Sequence, residues 1–529
     1  MSKIIIMAVN LWWKLSRILT AFVLLSITSV PPQSPIPFID WLQFGFDAQH
    51  SSNNSQETAI TTSNVASLAV MFQVVLPGTA DGAPVYLSSV NTPKGLKNLL
   101  FVTTRDGMID ALDANTGAQV WNHTNPAGTC RINNGASVCY TTSSPEIDPN
   151  RQYVYSYGLD GFVHKYQVGD GTEIKTGNWP ELATLKPFDE KGSSALSFAT
   201  DKSGVSFLYV TNSGYPGDAG DYQGHVTTIN LVDGSQKVFN TMCSNQAVHF
   251  VEAPDLPDCP GGVQSAIWAR PGVVYNPEND HIYMATGNGT FDPASFEWGD
   301  TVFSLNPDGS GADGYPLDSY TPENYAALDA DDADIGSTAP AILPVPAGSR
   351  VAHLAVQGGK VSLLRLIDLD DLSGQGGPGY AGGQIGASIA APGGGLVLTM
   401  PAVWVNPVEQ QTWVFVTTGK GISGIQLVVD EGGNPSLSQA WTLGDGGTSP
   451  VVAGGVLYYA HTNLILALDP VTGHVLWSST AVHSIHWSSP IVVNGVLYIT
   501  DLASRLTAYS LNGRIPGYPF SIFMPNIVQ

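Results

Sequence analysis

Apolar and polar positions alternate with a period of two over short stretches of most of the chain, and windows with the 3.6-residue period of an amphipathic helix are scarce. Eight runs stand out as buried strands: LLFVTT from Leu99, YVYSYG from Tyr153, FLYVTN from Phe207, HIYMAT from His281, HLAVQG from His353, WVFVTT from Trp413, VLYYAH from Val456 and VLYITD from Val496. Each is followed by a turn, a second alternating run and another turn rich in Asp and Gly, which predicts antiparallel hairpins throughout. Two copies are nearly verbatim. ALDANTGAQVW (residues 111–121) returns as ALDPVTGHVLW (residues 467–477), with an Asp to open the turn, a Gly free to adopt positive φ, and a Trp beyond it.

A second marker keeps step with the first. A Pro opens the apolar strand ahead of seven of the eight units, at Pro84, Pro145, Pro271, Pro340, Pro401, Pro450 and Pro490; the third unit has ALSFATD instead. The first residue of a strand tolerates Pro because a ladder donor is dispensable there. Units of about four short strands, recurring every 40 to 74 residues, predict an all-β, eight-bladed β-propeller with loop insertions in the longer units. The ring is expected to occupy residues 38–529 as a single domain, closed by pairing between the segment around Trp41 and the last blade.

Composition sharpens this picture. The 57 Gly and 36 Pro suit a turn-rich fold, and the net charge of −23 without a basic cluster argues against nucleic acid and anionic membrane as partners. Lys3, Lys14 and Arg17 precede an apolar run at residues 18–30, the layout of a secretory signal, so residues 1–30 are expected to be a signal or an uncleaved N-terminal anchor and residues 31–37 a Pro-rich linker. Membrane contact is expected only through that segment, and the protein is expected to be secreted, periplasmic or extracellular. Four Cys in an exported chain predict two disulfides, and proximity favours Cys130 with Cys139 and Cys243 with Cys259. Zinc is not expected without a CxxC pair, nor covalent haem without CxxCH.

The repeated AxDxxTGxxxW phrase and the opening WLQFGFDAQHSSNNSQETAITTSNVASL (residues 41–68) resemble the quinoprotein-type eight-bladed propellers, which include pyrroloquinoline quinone (PQQ) dependent alcohol dehydrogenases and non-catalytic outer-membrane assembly propellers. The resemblance implies a site. Trp268 in SAIWARPGVVYNP stands where the quinone's Trp floor is expected, Asn288 in MATGNGTFD where a Ca²⁺ ligand is expected, and Lys360 in VQGGKVSLL beside the quinone oxygens. Asp332 and Asp334 in DADDADIGS resemble the acidic pair that supplies the catalytic base, assigned to Asp332, and further metal oxygens. Together they make chemical sense: hard oxygens hold Ca²⁺, a carboxylate takes the alcohol proton, and a cation stabilises the developing oxyanion.

Each position also has an ordinary explanation. Trp268 reads equally as a core aromatic between blades, Asn288 as a turn residue in the left-handed region, the Asp run as a solvated loop, and Lys360 as a surface cation. Two features depart from the catalytic members. No two Cys are adjacent, so the vicinal disulfide that caps the quinone is missing, and the Glu that should ligate Ca²⁺ from the third unit has only Asp221 nearby. The sequence therefore favours an exported binding or scaffold propeller for a protein or carbohydrate partner, with a PQQ- and Ca²⁺-dependent dehydrogenase of alcohols or sugars as the alternative.

Overall fold

The computed structural model describes residues 39–517 apart from 126, 127 and 134. The expected signal or anchor and the linker after it lie outside the described residues. Eight sheets follow one another along the chain, each built on four antiparallel strands; two carry a fifth two-residue strand, Asn53–Asn54 in parallel on the blade that begins at Val451 and Glu190–Lys191 on the blade that begins at Ser197. Blade 1 spans Val85–Thr92, Gly95–Thr103, Ile109–Asp113 and Gln119–His123, and blades 2 to 7 begin at Glu146, Ser197, Val274, Ala341, Ala402 and Val451. Blade 8 takes Ile491–Val493, Val496–Asp501 and Arg505–Leu511 from the C-terminal end, and its fourth strand, Leu68–Val75, from the N-terminal end. This closing strand corrects the expectation for Trp41. That residue pairs instead with Tyr86 in the first strand of blade 1, and Ile39 beside it bonds the Asn494 side chain of blade 8.

The repeated phrase builds the same object each time. In blade 1, Ala111 pairs with Trp121 and Leu112 with Gln119; in blade 7, Ala467 pairs with Trp477 and Leu468 with Val475. The one-residue slip is a bulge that turns the Trp out of its own sheet towards the next blade. There its indole donates to a backbone carbonyl: Trp121 to Val168 of blade 2 at 3.0 Å, Trp441 of blade 6 to Pro470 of blade 7 at 3.0 Å, and Trp477 to Leu68 in the closing strand at 2.9 Å. The turn Gly of the receiving blade lies flat beneath the ring. A Cβ on Gly473, whose φ is +70°, would stand 2.7 Å from the Trp441 ring. Gly473→Ala is therefore expected to lower the unfolding free energy by about 2–4 kcal/mol, since backbone strain and a displaced Trp add. Chemical denaturation of the variant checks this.

Residues 41–54 bond the first strands of seven blades in ring order. Trp41 exchanges two backbone bonds with Tyr86 of blade 1, Leu42 accepts from Ile147 of blade 2, and the Gln43 amide oxygen accepts from Phe198 of blade 3. Ala48 accepts from Tyr275 of blade 4, Ser51 from Val403 of blade 6 and Ser52 from Val452 of blade 7, while the Asn54 amide donates to Val492 of blade 8. Its polar residues are thus consumed by first-strand backbone groups that face the axis and have no further strand to pair with. His50, Ser52 and Asn54 are buried accordingly, and Phe44 joins the core shared by blades 4 to 6.

Both expected disulfides are formed, Cys130 to Cys139 and Cys243 to Cys259. The first staples an inserted hairpin (Thr129–Ile132 and Gly135–Val138), and the second a loop after blade 3. Within that second loop both ring nitrogens of His249 are buried without a partner. Burial, and then the neighbouring His225, lower its pKa to about 3. Its folded pKa lies below the ordinary value, so its contribution to stability is complete above about pH 6.5 and is lost as pH falls, by up to about 1.4 kcal/mol per unit. Denaturation curves between neutral and mildly acid pH should show this slope in the wild type and a shallower one in His249→Phe.

Candidate functional site

In an antiparallel blade the loop that enters the first strand and the loop that leaves the second lie at the same end. Those loops from blades 2, 3, 4, 5 and 8 enclose a cavity of about 310 Å³. Every quinone-site residue expected from the sequence lines it: Trp268, Asn288, Asp332, Asp334 and Lys360. Trp268 is partly exposed to the cavity instead of packing as core, and the Lys360 ammonium lies 5.2 Å from its ring centroid. Lys360 bridges the acidic pair, bonding Asp332 and, at 2.8 Å, Asp334. It is not a free surface cation.

The two aspartates differ sharply. The Asp332 side chain is 64% exposed, whereas that of Asp334 is 2% exposed. Burial raises the Asp334 pKa to about 6 against the opposing pull of Lys360. Asp329 is exposed and accepts from the Gly289 amide at 2.9 Å. Asn288 does not take up the left-handed conformation its turn would explain; its amide donates to Asp332 at 3.1 Å and its carbonyl oxygen is buried and unpaired.

Sequence reasoning missed Asp300. It sits in the turn after Trp298, behind Asn288 and Asp334, with its amide donating to Gly287 and its carboxylate accepting from Ile335. It is 1% exposed, and burial and the charge of Asp334 push its pKa to about 8. One oxygen each of Asn288, Asp300 and Asp334 is buried without a hydrogen-bond partner. Unpaired buried oxygens are costly, and oxygens of this kind suit a hard cation. Among the described residues no group of three or more His, Cys, Asp or Glu could hold a metal by itself, so a cation here would draw on the Asn288 amide and on oxygens of a bound ligand.

Asp221, the nearest acid to the missing Glu, is turned away. Its carboxylate lies 3.7 Å from the fully buried Lys186, and its backbone carbonyl accepts from the same ammonium at 2.6 Å. The acid that reaches the cavity from blade 3 is Asp218, held by the Tyr222 hydroxyl at 2.7 Å. In place of a vicinal disulfide, the Cys130–Cys139 hairpin delivers Tyr140 to the wall, against Tyr215 with ring centroids 5.8 Å apart. His486 also lines the cavity, bonded to the buried Asp81 at 2.8 Å.

Residues 41–176 match the family model described as the glucose/ethanol/alcohol dehydrogenase β-propeller domain, and residues 402–515 match that of the outer membrane protein assembly factor BamB. The chain carries PQQ-type propeller repeats. Its structure is similar to a europium-containing methanol dehydrogenase, with a TM-score of 0.59 at 15% identity over 89% of this chain and 98% of that one. It is similar to a quinohemoprotein alcohol dehydrogenase from Pseudomonas putida HK5, at 0.60 and 15% identity over 91% of this chain and 82% of the other. The corresponding enzyme from Comamonas testosteroni gives 0.59 at 14% identity, with the same coverage. At such identities the likeness of this PQQ-type propeller to these structures is one of fold. No curated protein sequence matches the chain.

Proposed function

We propose that the central cavity binds PQQ together with a Ca²⁺-like cation and that the protein is a dehydrogenase of alcohols or sugars. The observation that carries this reading is that Asn288 and Asp334, each with a buried, unpaired oxygen, line the cavity beside Trp268 and Lys360, with a third such oxygen on Asp300, which feels the charge of Asp334.

When bound, the quinone would supply the two-electron acceptor that no side chain provides. The chain's residues do the rest. Trp268 offers a flat face that orients a planar ligand, while Asn288, Asp300 and Asp334 hold the cation. Asp334 is better suited than Asp332 to take the substrate hydroxyl proton, because its carboxylate is buried in the cavity and burial raises its proton affinity, whereas Asp332 is exposed. Asp332, exposed and paired with Lys360, keeps that lysine in place. Two disulfides suit an oxidising compartment, in keeping with export.

The match of residues 402–515 to an assembly factor favours a second reading, a scaffold with a protein or carbohydrate partner. Dye reduction by purified protein reconstituted with PQQ and Ca²⁺, over a panel of alcohols and sugars, separates the two. Turnover that requires both additions supports the dehydrogenase; no turnover, together with no quinone bound, supports the scaffold.

A further inference from the structure

The same cavity carries two cations that form no ion pair. Lys191 and Arg270 are 7% and 3% exposed, and among the described residues neither forms an ion pair, although the chain's net charge is −23. Lys191 enters on a two-residue strand paired with Ser213 and Gly214, which sets its ammonium 4.4 Å from the Tyr140 ring centroid and 5.8 Å from that of Tyr215. Arg270 is fixed by bonds to the Ser193 and Thr142 carbonyls, both at 2.9 Å, and lies 5.7 Å from the Trp487 ring centroid, while its Nε is buried without a partner. Asp81, the nearest carboxylate to influence the pair, is already bonded to His486 and to the Trp487 amide.

A buried cation without a counter-ion is unfavourable in isolation and becomes favourable once an anion is held against it. We propose that Lys191 and Arg270 form a carboxylate-binding subsite, so that the cavity takes a ligand carrying negative charge against these two residues. The assignment deepens the reading of the cavity as a ligand site and does not depend on the ligand being a quinone. The carboxylate can belong to a tricarboxylate cofactor or to an acidic substrate.

The electrostatics agree. Burial, then repulsion from Arg270 and Arg105, lower the Lys191 pKa to about 7, with only Asp81 opposing; the facing Tyr140 and Tyr215 hydroxyls stay neutral, their own pKa values raised by burial. An anion favours the protonated amine. Carboxylate affinity should therefore be level below about pH 7 and fall as pH rises above it.

The test compares the full-length protein with Lys191→Gln and Lys191→Met, following tryptophan fluorescence on addition of PQQ, its trimethyl ester, 2,6-naphthalenedicarboxylate and the dimethyl ester of that acid. The free acids should bind the wild type at least about tenfold more tightly than their esters, and the variants should lose that preference while binding the esters unchanged. Lys191→Met should also raise the melting temperature of the empty protein, which loss of a structural lysine would not do. Glycolate against glycerol, as substrates of the PQQ-loaded protein, distinguishes the sources: a preference for glycolate that Lys191→Gln abolishes places the carboxylate on the substrate, and no preference places it on the cofactor. PQQ binding that is equal in wild type and variants, with no Lys191-dependent preference for naphthalenedicarboxylate or glycolate, overturns the subsite and leaves the proposed function standing. A Lys191-dependent response to naphthalenedicarboxylate without PQQ binding does the reverse. Failure of every free acid to bind overturns the subsite.

Discussion

Asp334→Asn is expected to reduce PQQ-dependent turnover by about 10²- to 10⁴-fold, the usual worth of a positioned general base, while the protein stays folded. Asn matches the shape of Asp and keeps an oxygen towards Lys360, which lies 2.8 Å from the native carboxylate, but it cannot take a proton. It also removes a buried charge next to Asp300, so the empty variant should melt at or above the wild-type temperature. That stability result matters because it separates lost chemistry from lost fold. Asp332→Asn, at a position 64% exposed, should cost less than about tenfold. Turnover measured on quinone-loaded protein, alongside the melting curve of each variant, checks both statements. A larger loss in Asp332→Asn than in Asp334→Asn would return the base to the position the sequence first indicated.

The largest effect on stability is expected at Trp41. It is 1% exposed, packs edge-on against Phe46 with centroids 5.0 Å apart, and belongs to the apolar cluster that joins blade 1 to blade 8. Truncation to Ala should cost about 3–5 kcal/mol, as for other buried aromatics. The consequence extends beyond one cavity, because Trp41 anchors the segment that bonds the first strands of blades 1, 2, 3, 4, 6, 7 and 8. Amides that donate these bonds, such as those of Ile147 and Val403, should lose hydrogen-exchange protection in Trp41→Ala. Protection lost only at Tyr86 and its neighbours would show that the segment does not act as a unit.

Much of this was legible in the sequence, for reasons that can be traced. The phrase shared by residues 111–121 and 467–477 encodes a bulged hairpin and the Trp that docks on the next blade, so repetition alone revealed the ring. Trp268, Asn288, Asp334 and Lys360 occupy the loops that open the first strand or leave the second in blades 4 and 5, and equivalent loops converge when blades are radial. Asp300, Lys191 and Arg270 could not be found in this way. Each draws its significance from burial without a partner, and burial follows from ring closure, which no local pattern encodes. The course of residues 41–54 was hidden for a related reason. GFDAQHSSNN reads as a polar linker, yet its side chains and carbonyls are spent on backbone groups of seven blades that lie far apart in sequence. The closing strand, Leu68–Val75, is mostly exposed on its outer edge, so its alternation was weaker than that of the strand it pairs with.

The account rests on the cavity being a working cofactor site, and calorimetric titration of purified protein with PQQ, in the presence and absence of Ca²⁺, tests that most directly. It predicts one quinone per chain at micromolar or better affinity, bound with the cation and lost on chelation, and weakened in Asn288→Ala. Absence of heat at micromolar quinone with Ca²⁺ present, from protein with both disulfides intact, would contradict it.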